Sequence, residues 1–304
     1  MKKSYSTDVY IHGRIAKPAH VRPFDFRWMA ILLEGKTPRH MISATMLGKW
    51  RIHRLFDRDA SVDISEKDGV RYLHLGSSTV QSAMRLRDPV ELVLSYTRAM
   101  MGFLLFTPEP TRVAMIGLGG GSLAKFIRHH LPHAHIVAVE NNEQVIAAAR
   151  SHFEVPDDDE HLSVVLGQGE QWIAGDSANC DVLMVDGYNG RQQAGALTTE
   201  DFYARARDAL APEGVLVVNL WSSDPSYDAY LQRIEHVFES VVVIPAARRG
   251  NMAVLAFVRK PRELRWPKLR ERARQLENRF GLEFTTMLTG IREFNPCSDK
   301  GLQL

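Results

Sequence analysis

Several glycines and acidic residues directly follow apolar runs in this sequence and are its candidate ligand-binding residues. Residues 112–122, RVAMIGLGGGS, form an apolar run that ends in glycines, and Glu140 closes a second apolar run nineteen residues after Gly121. A glycine turn lets the backbone approach a ligand, and the helix that follows offers free N–H groups. An acid at the end of the next strand can accept hydrogen bonds from ribose hydroxyls. The spacing therefore favours a nucleotide or nucleoside site.

The glycine pattern departs from G-x-G-x-x-G, which is typical of dinucleotide sites. Gly117 and Gly119 fit the first two positions, whereas Ser122 occupies the third and Gly120 and Gly121 are additional. The pattern found here suits an uncharged ligand lying against the turn as well as it suits a diphosphate. An NAD(P)-dependent oxidoreductase stays open as an alternative, but Ser122 and the lack of a second dinucleotide-binding half argue against it.

A second acidic residue, Asp186, ends the apolar run CDVLMV. Because ligands bind at the carboxyl ends of the strands in open α/β sheets, we expect Asp186 to face the same crevice as Glu140. The alternative is that Asp186 only caps a turn. The segment that follows, residues 187–199, is long enough to act as a lid.

Apolar runs alternate with amphipathic segments from residue 112 onward. The predicted strands are 113–116, 136–140, 162–166, 181–185 and 215–220, and the predicted helices between them begin near residues 122, 142, 170 and 199. This alternation predicts a doubly wound, mainly parallel α/β sheet that helices cover on both faces. The runs VVVIP and MAVLAFV are expected to add two closing strands.

The chain before this sheet is predicted to be β-rich and to end in a helix. Two β-rich runs flank Asp68-Gly69, which is a hairpin signal. Asp88 and Pro89 then indicate the cap and first position of a helix that continues through AMMGFLLF.

One further helix, 267–280, is predicted near the end of the chain and stops at Gly281. We therefore expect an N-terminal region with the hairpin and the linking helix at 1–108, a nucleoside-binding domain at 109–260, and a helical tail at 261–304.

Composition and charge limit the partners and the compartment. A formal charge of +2 produces no strong field that would indicate a nucleic-acid partner, so none is expected. No apolar run is long enough to span a bilayer. With only Cys180 and Cys297, a reducing compartment fits best, so we expect a cytoplasmic protein. His129 and His133 have helical spacing, but Pro132 interrupts it, so no metal site is expected.

With these residues identified, the sequence resembles the spermidine synthase family of aminopropyltransferases. These enzymes are relatives of the class I S-adenosylmethionine methyltransferases and carry a small β domain in front. The resemblance covers about residues 61–259 and rests on LGSSTVQS, SYTR, MIGLGGGS, VAVENNEQVI, GQGEQW, VDGYNG and EDFYARARDALAPEGVLVVNL, in that order. It implies a Rossmann-like sheet of the class I methyltransferase type, preceded by a small β-rich N-terminal domain.

The resemblance also implies roles for particular residues. Gln81 matches a glutamine that reaches the nucleoside, and Glu140 matches the acid on the ribose. Tyr96 matches a tyrosine near the amine substrate, and Asp186 matches the first acid of a D-x-x-D motif that positions or deprotonates the attacking amine. The glycines that match the turn beside the methionine-derived tail are Gly117, Gly119, Gly120 and Gly121.

Four positions depart from the family pattern. Ser122 and Asn189 each stand where the family has an aspartate, and Gln168 replaces the acid that meets the adenine amino group. Arg98 replaces an acid two residues after the tyrosine and would repel a cation if it pointed inward. A cationic substrate needs carboxylates to offset its desolvation, so these changes favour a less charged acceptor or intact S-adenosylmethionine.

The sequence thus predicts a spermidine synthase-like transferase that moves an aminopropyl group from decarboxylated S-adenosylmethionine to a polyamine or another amine. The alternatives are a methyltransferase that uses S-adenosylmethionine, a divergent nucleoside-binding homologue, and a non-catalytic regulatory binder. The resemblance further implies a homodimer or homotetramer, a small-molecule amine as the partner, and no metal.

Overall fold

The computed structural model describes residues 62–175, 179–188, 195–247 and 250–304, together with the backbone of three earlier strands. Two compact units divide the chain at Met1–Leu47 and Gly48–Leu304. The first unit contains a two-stranded antiparallel pair, β1 (Tyr10–Ile11) and β2 (Arg14–Ile15). Everything that follows concerns the second unit.

A small antiparallel sheet opens the second unit. Its strands, in both chain and spatial order, are β3 (Arg51–Arg54), β4 (Val62–Lys67), β5 (Val70–Leu75) and β6 (Val80–Arg85). Asp68 and Gly69 join β4 to β5 with φ values of 52° and 73°. Two successive positive φ values are typical of the tight hairpin turn that matches strand twist. The predicted hairpin is therefore confirmed.

A seven-stranded sheet forms the centre of the unit. Its strands are β7 (Arg112–Ile116), β8 (His135–Glu140), β9 (Leu162–Leu166), β10 (Cys180–Val185), β11 (Leu210–Trp221), β12 (Ser240–Pro245) and β13 (Asn251–Phe257). Their order is β12-β13-β11-β10-β7-β8-β9, with β7 to β11 parallel and β13 antiparallel to both of its neighbours. The predicted fold class, a doubly wound and mainly parallel α/β sheet behind a small β-sheet, is confirmed.

Helices surround these strands. They are α1 (Ser95–Met100), α2 (Ser122–His130), α3 (Glu143–His152), α4 (Gly169–Trp172), α5 (Glu200–Asp208), α6 (Tyr227–Val237), α7 (Trp266–Phe280) and α8 (Phe284–Phe294). Successive side chains of each central strand point to opposite faces. Val215 and Val217 accordingly pack in the core under α7 and α8, whereas Leu216 and Val218 pack in the core under α5 and α6. Both faces of the sheet are thus buried.

The linking helix predicted from Pro89 begins later than expected, at Ser95, and continues as a 3₁₀ turn over Met101–Leu105. The Arg98 guanidinium donates to the main-chain carbonyls of Leu92 and Val93, at 2.9 and 3.1 Å. A regular helix would use these carbonyls for its own hydrogen bonds. The side chain of Arg98 therefore holds the preceding segment in a turn.

The tail contains two helices where the sequence predicted one. Helix α7 ends at Gly281, whose φ of 68° is the left-handed conformation that terminates many helices, and α8 begins soon after it. Leu269 and Phe280 on α7 and Phe284 on α8 are buried in the same core as the central strands. The tail is therefore part of the packed core, and domain limits at 108 and 260 stay a prediction.

Lys125 is a buried cation at the contact between α2 and the small sheet. Its side chain is 5% exposed, and its ammonium donates to the Phe153 carbonyl and to Met84 Sδ. Burial lowers the pKa of Lys125 to about 8, and the nearby Glu154 carboxylate offsets only part of that shift.

The stability of the protein is expected to depend on this group between pH 8 and 10.5. In that range the unfolded chain binds the Lys125 proton and the folded chain does not, so the free energy of unfolding rises with pH. Relative to Lys125→Met, the wild type should gain about 3 kcal/mol between pH 7.5 and 10.5. Urea unfolding of both proteins across this range measures the gain; curves that stay parallel would contradict it.

Candidate active site

A cavity of about 1040 Å³ lies at the carboxyl ends of β7, β8, β10 and β11 and extends to the small sheet. Nine of the residues singled out in the sequence line it: Gln81, Tyr96, Arg98, Gly117, Gly119, Ser122, Glu140, Gln168 and Asp186. Glu140 and Asp186 therefore open onto the same cavity, as the strand-end pattern predicts.

The glycine turn forms one wall of this cavity. Gly117 has a φ of 94°, and a Cβ atom on it would lie 2.4 Å from the main-chain oxygen of Asp186. Only glycine fits such a contact, because both the conformation and the space exclude a side chain. Gly119 also has a positive φ, 53°, and a Cβ atom on it would lie 3.7 Å from Ser82 Cβ, an ordinary van der Waals distance. Gly117 thus brings the turn directly against the backbone that carries Asp186.

The other two glycines lie behind the turn, outside the cavity lining. A Cβ atom on Gly120 would meet Ser82 and Phe153, and one on Gly121 would lie 2.2 Å from Val155 Cγ2. Their positions indicate close packing of α2 against the small sheet and the segment after α3. The expectation that Gly120 and Gly121 contact the ligand gains no support from this placement.

Glu140 is held by two backbone amides. Its Oε2 accepts from the Leu118 N–H and its Oε1 from the Asn142 N–H, both at 3.0 Å, and the residue is 9% exposed. Both oxygens are therefore fixed at the tip of β8. Each oxygen keeps a further lone pair that can accept from a ligand.

Asp186 lies half-buried directly after β10, beside the glycine turn. Asn219 Nδ2 donates to its Oδ1 at 2.8 Å, and the Tyr96 hydroxyl lies beside the same carboxylate. Burial raises the pKa of Asp186, the hydrogen bonds from Asn219 and Tyr96 lower it, and the charge of Glu140 raises it. The net direction is upward, which makes the carboxylate a stronger base than an exposed aspartate.

Tyr96 presents one hydroxyl proton to two acceptors. Its oxygen is 3.2 Å from the main-chain oxygen of Gln81 and also within hydrogen-bonding reach of Asp186. Burial and the negative charge of Asp186 raise the pKa of Tyr96 well above its usual value. The residue is therefore a neutral phenol that can donate one hydrogen bond and accept another.

The sequence interpretation missed a polar and aromatic wall beside Asp186. The Tyr188 ring stacks on Trp221 with centroids 5.1 Å apart, and the Tyr188 hydroxyl donates to the Asn219 main-chain oxygen. Asn219 itself is 3% exposed and receives a hydrogen bond from Asn251. One signal was available: Asn219 is a polar residue inside the apolar run VLVVNLW, and buried polar groups need partners.

Two of the residues that depart from the family pattern, Ser122 and Gln168, form hydrogen bonds with other residues of the protein. Ser122 Oγ donates to the Ala83 carbonyl and lies 3.3 Å from Ser82 Oγ, so it faces the small sheet. Gln168 is exposed at the start of α4, where its Oε1 accepts from Asn141. Asn189 lies outside the described residues.

Arg98 does line the cavity, but its charge is paired. Its Nε donates to Glu283 Oε1 at 2.8 Å, and Glu283 precedes α8 in the tail. Arg98 is the only basic side chain among the described lining residues, while Glu140, Glu170 and Asp186 are acidic. The cavity walls are therefore negative on balance, which suits a cationic ligand.

Removing the partner of Arg98 should weaken binding of a cationic acceptor. In Glu283→Gln the guanidinium charge is no longer offset, and about 1 kcal/mol of added repulsion would raise the KM of a linear diamine about fivefold. The increase should shrink at 0.5 M salt because screening reaches exposed charges. Glu271→Gln on α7 removes an exposed ion pair with Lys268 and serves as the control. Equal KM values for both variants would contradict the prediction.

The described part of the chain contains neither a cluster of side chains arranged as a metal site nor a membrane-spanning helix. Within it, no group of three or more His, Cys, Asp and Glu side chains is arranged to hold a metal ion. Within the same residues, no helix has the length and apolar character to cross a membrane.

This α/β sheet, with a glycine turn and two acids around one cavity, is the architecture of a methyltransferase-like enzyme. The sequence model of the spermine/spermidine synthase domain matches residues 93–262. A polyamine aminopropyltransferase of Chromobacterium violaceum is 46% identical over 246 residues, which are 81% of this chain and 94% of that protein. The chain belongs to the spermine/spermidine synthase family, and the predicted transferase class is confirmed.

Solved structures agree on the fold. Spermidine synthase from Thermotoga maritima aligns with a TM-score of 0.60 at 21% identity, over 87% of this chain and 96% of that chain. Human methyltransferase-like protein 13 in complex with SAH aligns with a TM-score of 0.56 at 25% identity, over 62% of this chain and 92% of that chain. The fold is thus shared with a spermidine synthase and with a methyltransferase-like protein.

Proposed function

We propose that the protein transfers the aminopropyl group of decarboxylated S-adenosylmethionine to a polyamine acceptor. The observation that carries the proposal is the single cavity onto which Glu140, the turn at Gly117 and Asp186 all open. The 46% identity to a polyamine aminopropyltransferase supports the same reaction.

The donor fits the wall formed by β7 and β8. Backbone amides hold both Glu140 oxygens in place, and each oxygen has a further lone pair that accepts from a ribose hydroxyl. Gly117 and Gly119 let the aminopropyl arm lie against the backbone, while Gln81 and Gln168 hydrogen-bond the nucleoside. The donor supplies a sulfonium, which activates the adjacent carbon for displacement.

The acceptor fits the wall formed by Tyr96 and Asp186, and this assignment extends to Asn189, which lies outside the described residues. An amine attacks only with a free lone pair, so the site must keep its nitrogen unprotonated. As the nitrogen forms the new C–N bond and the C–S bond breaks, Asp186 takes the proton that the nitrogen releases. Tyr96 donates to Asp186 or accepts from the amine and so aligns the two partners.

Methyl transfer from S-adenosylmethionine is the second candidate. Ser122 stands where the family has an aspartate, so no acid there repels the carboxylate of the intact donor. The likeness to human methyltransferase-like protein 13 in complex with SAH supports the same candidate. The family membership and the three acidic lining residues favour the first candidate.

Thermal shift and product analysis separate the candidates. Decarboxylated S-adenosylmethionine and methylthioadenosine are expected to raise the unfolding temperature more than S-adenosylmethionine at equal concentration, with no effect of NAD. With a diamine present, the decarboxylated donor should yield methylthioadenosine and an aminopropylated amine. Preferential stabilisation by S-adenosylmethionine together with a methylated product would replace the proposal with the second candidate.

Two further expectations rest on the resemblance and the composition. We expect a homodimer or homotetramer, which light scattering after size exclusion measures, and a cytoplasmic location.

A further inference from the structure

Two asparagines on neighbouring strands form a hydrogen-bonded chain that ends at Asp186. Asn251 Nδ2 donates to Asn219 Oδ1 at 2.9 Å, and Asn219 Nδ2 donates to Asp186 Oδ1 at 2.8 Å. Asn219 is 3% exposed, while Asn251 and Asp186 are half-buried on the cavity wall.

The strand register accounts for this alignment. In the parallel pair, Val185 on β10 lies opposite Val218 on β11, so Asp186 and Asn219 follow at the same level. In the antiparallel pair, Trp221 on β11 lies opposite Asn251 on β13. Asn251 and Asn219 are therefore diagonal neighbours on one face, within reach of each other's side chains.

The direction of each amide is dictated by chemistry. An ionised carboxylate only accepts hydrogen bonds, so Asn219 must turn its nitrogen toward Asp186. Its oxygen then points away and needs a donor, which Asn251 supplies. Without Asn251, the Asn219 oxygen would lose the donor that it has at 2.9 Å, and an amide turned with its oxygen toward Asp186 would be favoured only when that carboxyl carries a proton.

We propose that Asn251 and Asn219 are positioning residues that orient the Asp186 carboxylate and keep it ionised for the attacking amine. Neither is a catalytic residue: Asn251 acts through Asn219, and Asn219 acts through Asp186. This inference rests on the proposed role of Asp186 in aminopropyl transfer.

Other groups that face Asp186 also affect the pKa of its carboxyl group. Among the described residues they are the Tyr96 hydroxyl from α1, the Glu140 carboxylate from β8, and the Tyr188 phenol from the segment after β10. Tyr96 donates a hydrogen bond that favours the ionised form, and Glu140 adds a charge that disfavours it. Both stay in place when Asn251 or Asn219 is changed, so a shift caused by either asparagine can be isolated.

The hydrogen-bonded series from Asn251 through Asn219 to Asp186 is tested by a double-mutant cycle in which the pH profile of each variant is measured. Below the pKa of its base the enzyme loses activity, so the midpoint of the acid limb of kcat reports the ionisation of Asp186. Asn251→Leu and Asn219→Leu are each expected to move this midpoint upward by about one pH unit. The double variant should move no further than Asn219→Leu alone, because Asn251 acts only through Asn219.

The midpoint reports the ionisation only where the folded fraction is constant, so circular dichroism of each variant is measured at every pH and the activity is expressed per folded enzyme. Methylthioadenosine affinity should stay unchanged in all three variants, because Glu140, the residue proposed to hold the ribose, follows β8, which is two strands away from β10 in the sheet. Unmoved midpoints, or shifts that add in the double variant, would overturn the inference. A fully active Asp186→Asn enzyme would instead remove the proposed role of Asp186, so the two failures are distinguishable.

Discussion

Replacing Asp186 by asparagine is expected to reduce aminopropyl transfer about 1000-fold, within the range measured for removal of a general base. Asparagine has nearly the same shape, but it cannot take a proton at neutral pH or offset the charge of an ammonium group. Its amide oxygen can still accept from Asn219, so the hydrogen bond at 2.8 Å has a substitute and the fold should be preserved.

Two measurements establish that the loss is chemical. Methylthioadenosine should bind with the wild-type dissociation constant by calorimetry, while single-turnover formation of product is slowed. Asp208→Asn, which makes the same change at an exposed position on α5, should leave both quantities unchanged. Turnover within tenfold of wild type in Asp186→Asn would exclude Asp186 as the base.

The second large effect is expected for Glu140→Gln, which should weaken methylthioadenosine binding about 100-fold, as loss of charge-assisted hydrogen bonds to the ribose implies. Both carboxylate oxygens accept from backbone N–H groups, and a glutamine can satisfy only one of them. Its amide nitrogen would face an N–H donor, which costs about 1–3 kcal/mol of stability as well.

Calorimetry with methylthioadenosine and urea unfolding measure the two parts of this prediction. Glu143→Gln removes the same charge three residues later, at an exposed position in the first turn of α3, and is the matched control. The nucleoside assignment fails if Glu140→Gln and Glu143→Gln bind methylthioadenosine equally well.

The sequence predicted the parts of the site that depend on single strand ends. Gly117, Glu140 and Asp186 each follow an apolar run, and parallel strands place their carboxyl ends at one edge of the sheet. The strand limits agree with the structure to within one residue for the first four strands, because buried parallel strands are nearly continuous apolar runs.

Features that depend on contacts between distant segments could not be predicted from local patterns. Arg98 and Glu283 are 185 residues apart in the chain, so the pairing that offsets the Arg98 charge had no local signal. The link between Asn251 and Asn219 depends on strand register, which sequence periodicity does not fix across a sheet. The late start of the linking helix has a local cause instead: Arg98 donates to the carbonyls of Leu92 and Val93, a side-chain contact that helix propensity does not include.

The contact between Gly117 and the backbone of Asp186 has a consequence for how the two reactants meet. Strands β7 and β10 are hydrogen-bonded neighbours, and adjacent strands lie about 4.8 Å apart. The glycine turn and the Asp186 backbone are thus one strand spacing apart. In the proposed reaction the main chain would set the spacing between the donor sulfur and the base, and changes in the surrounding side chains would alter acceptor preference without altering that spacing.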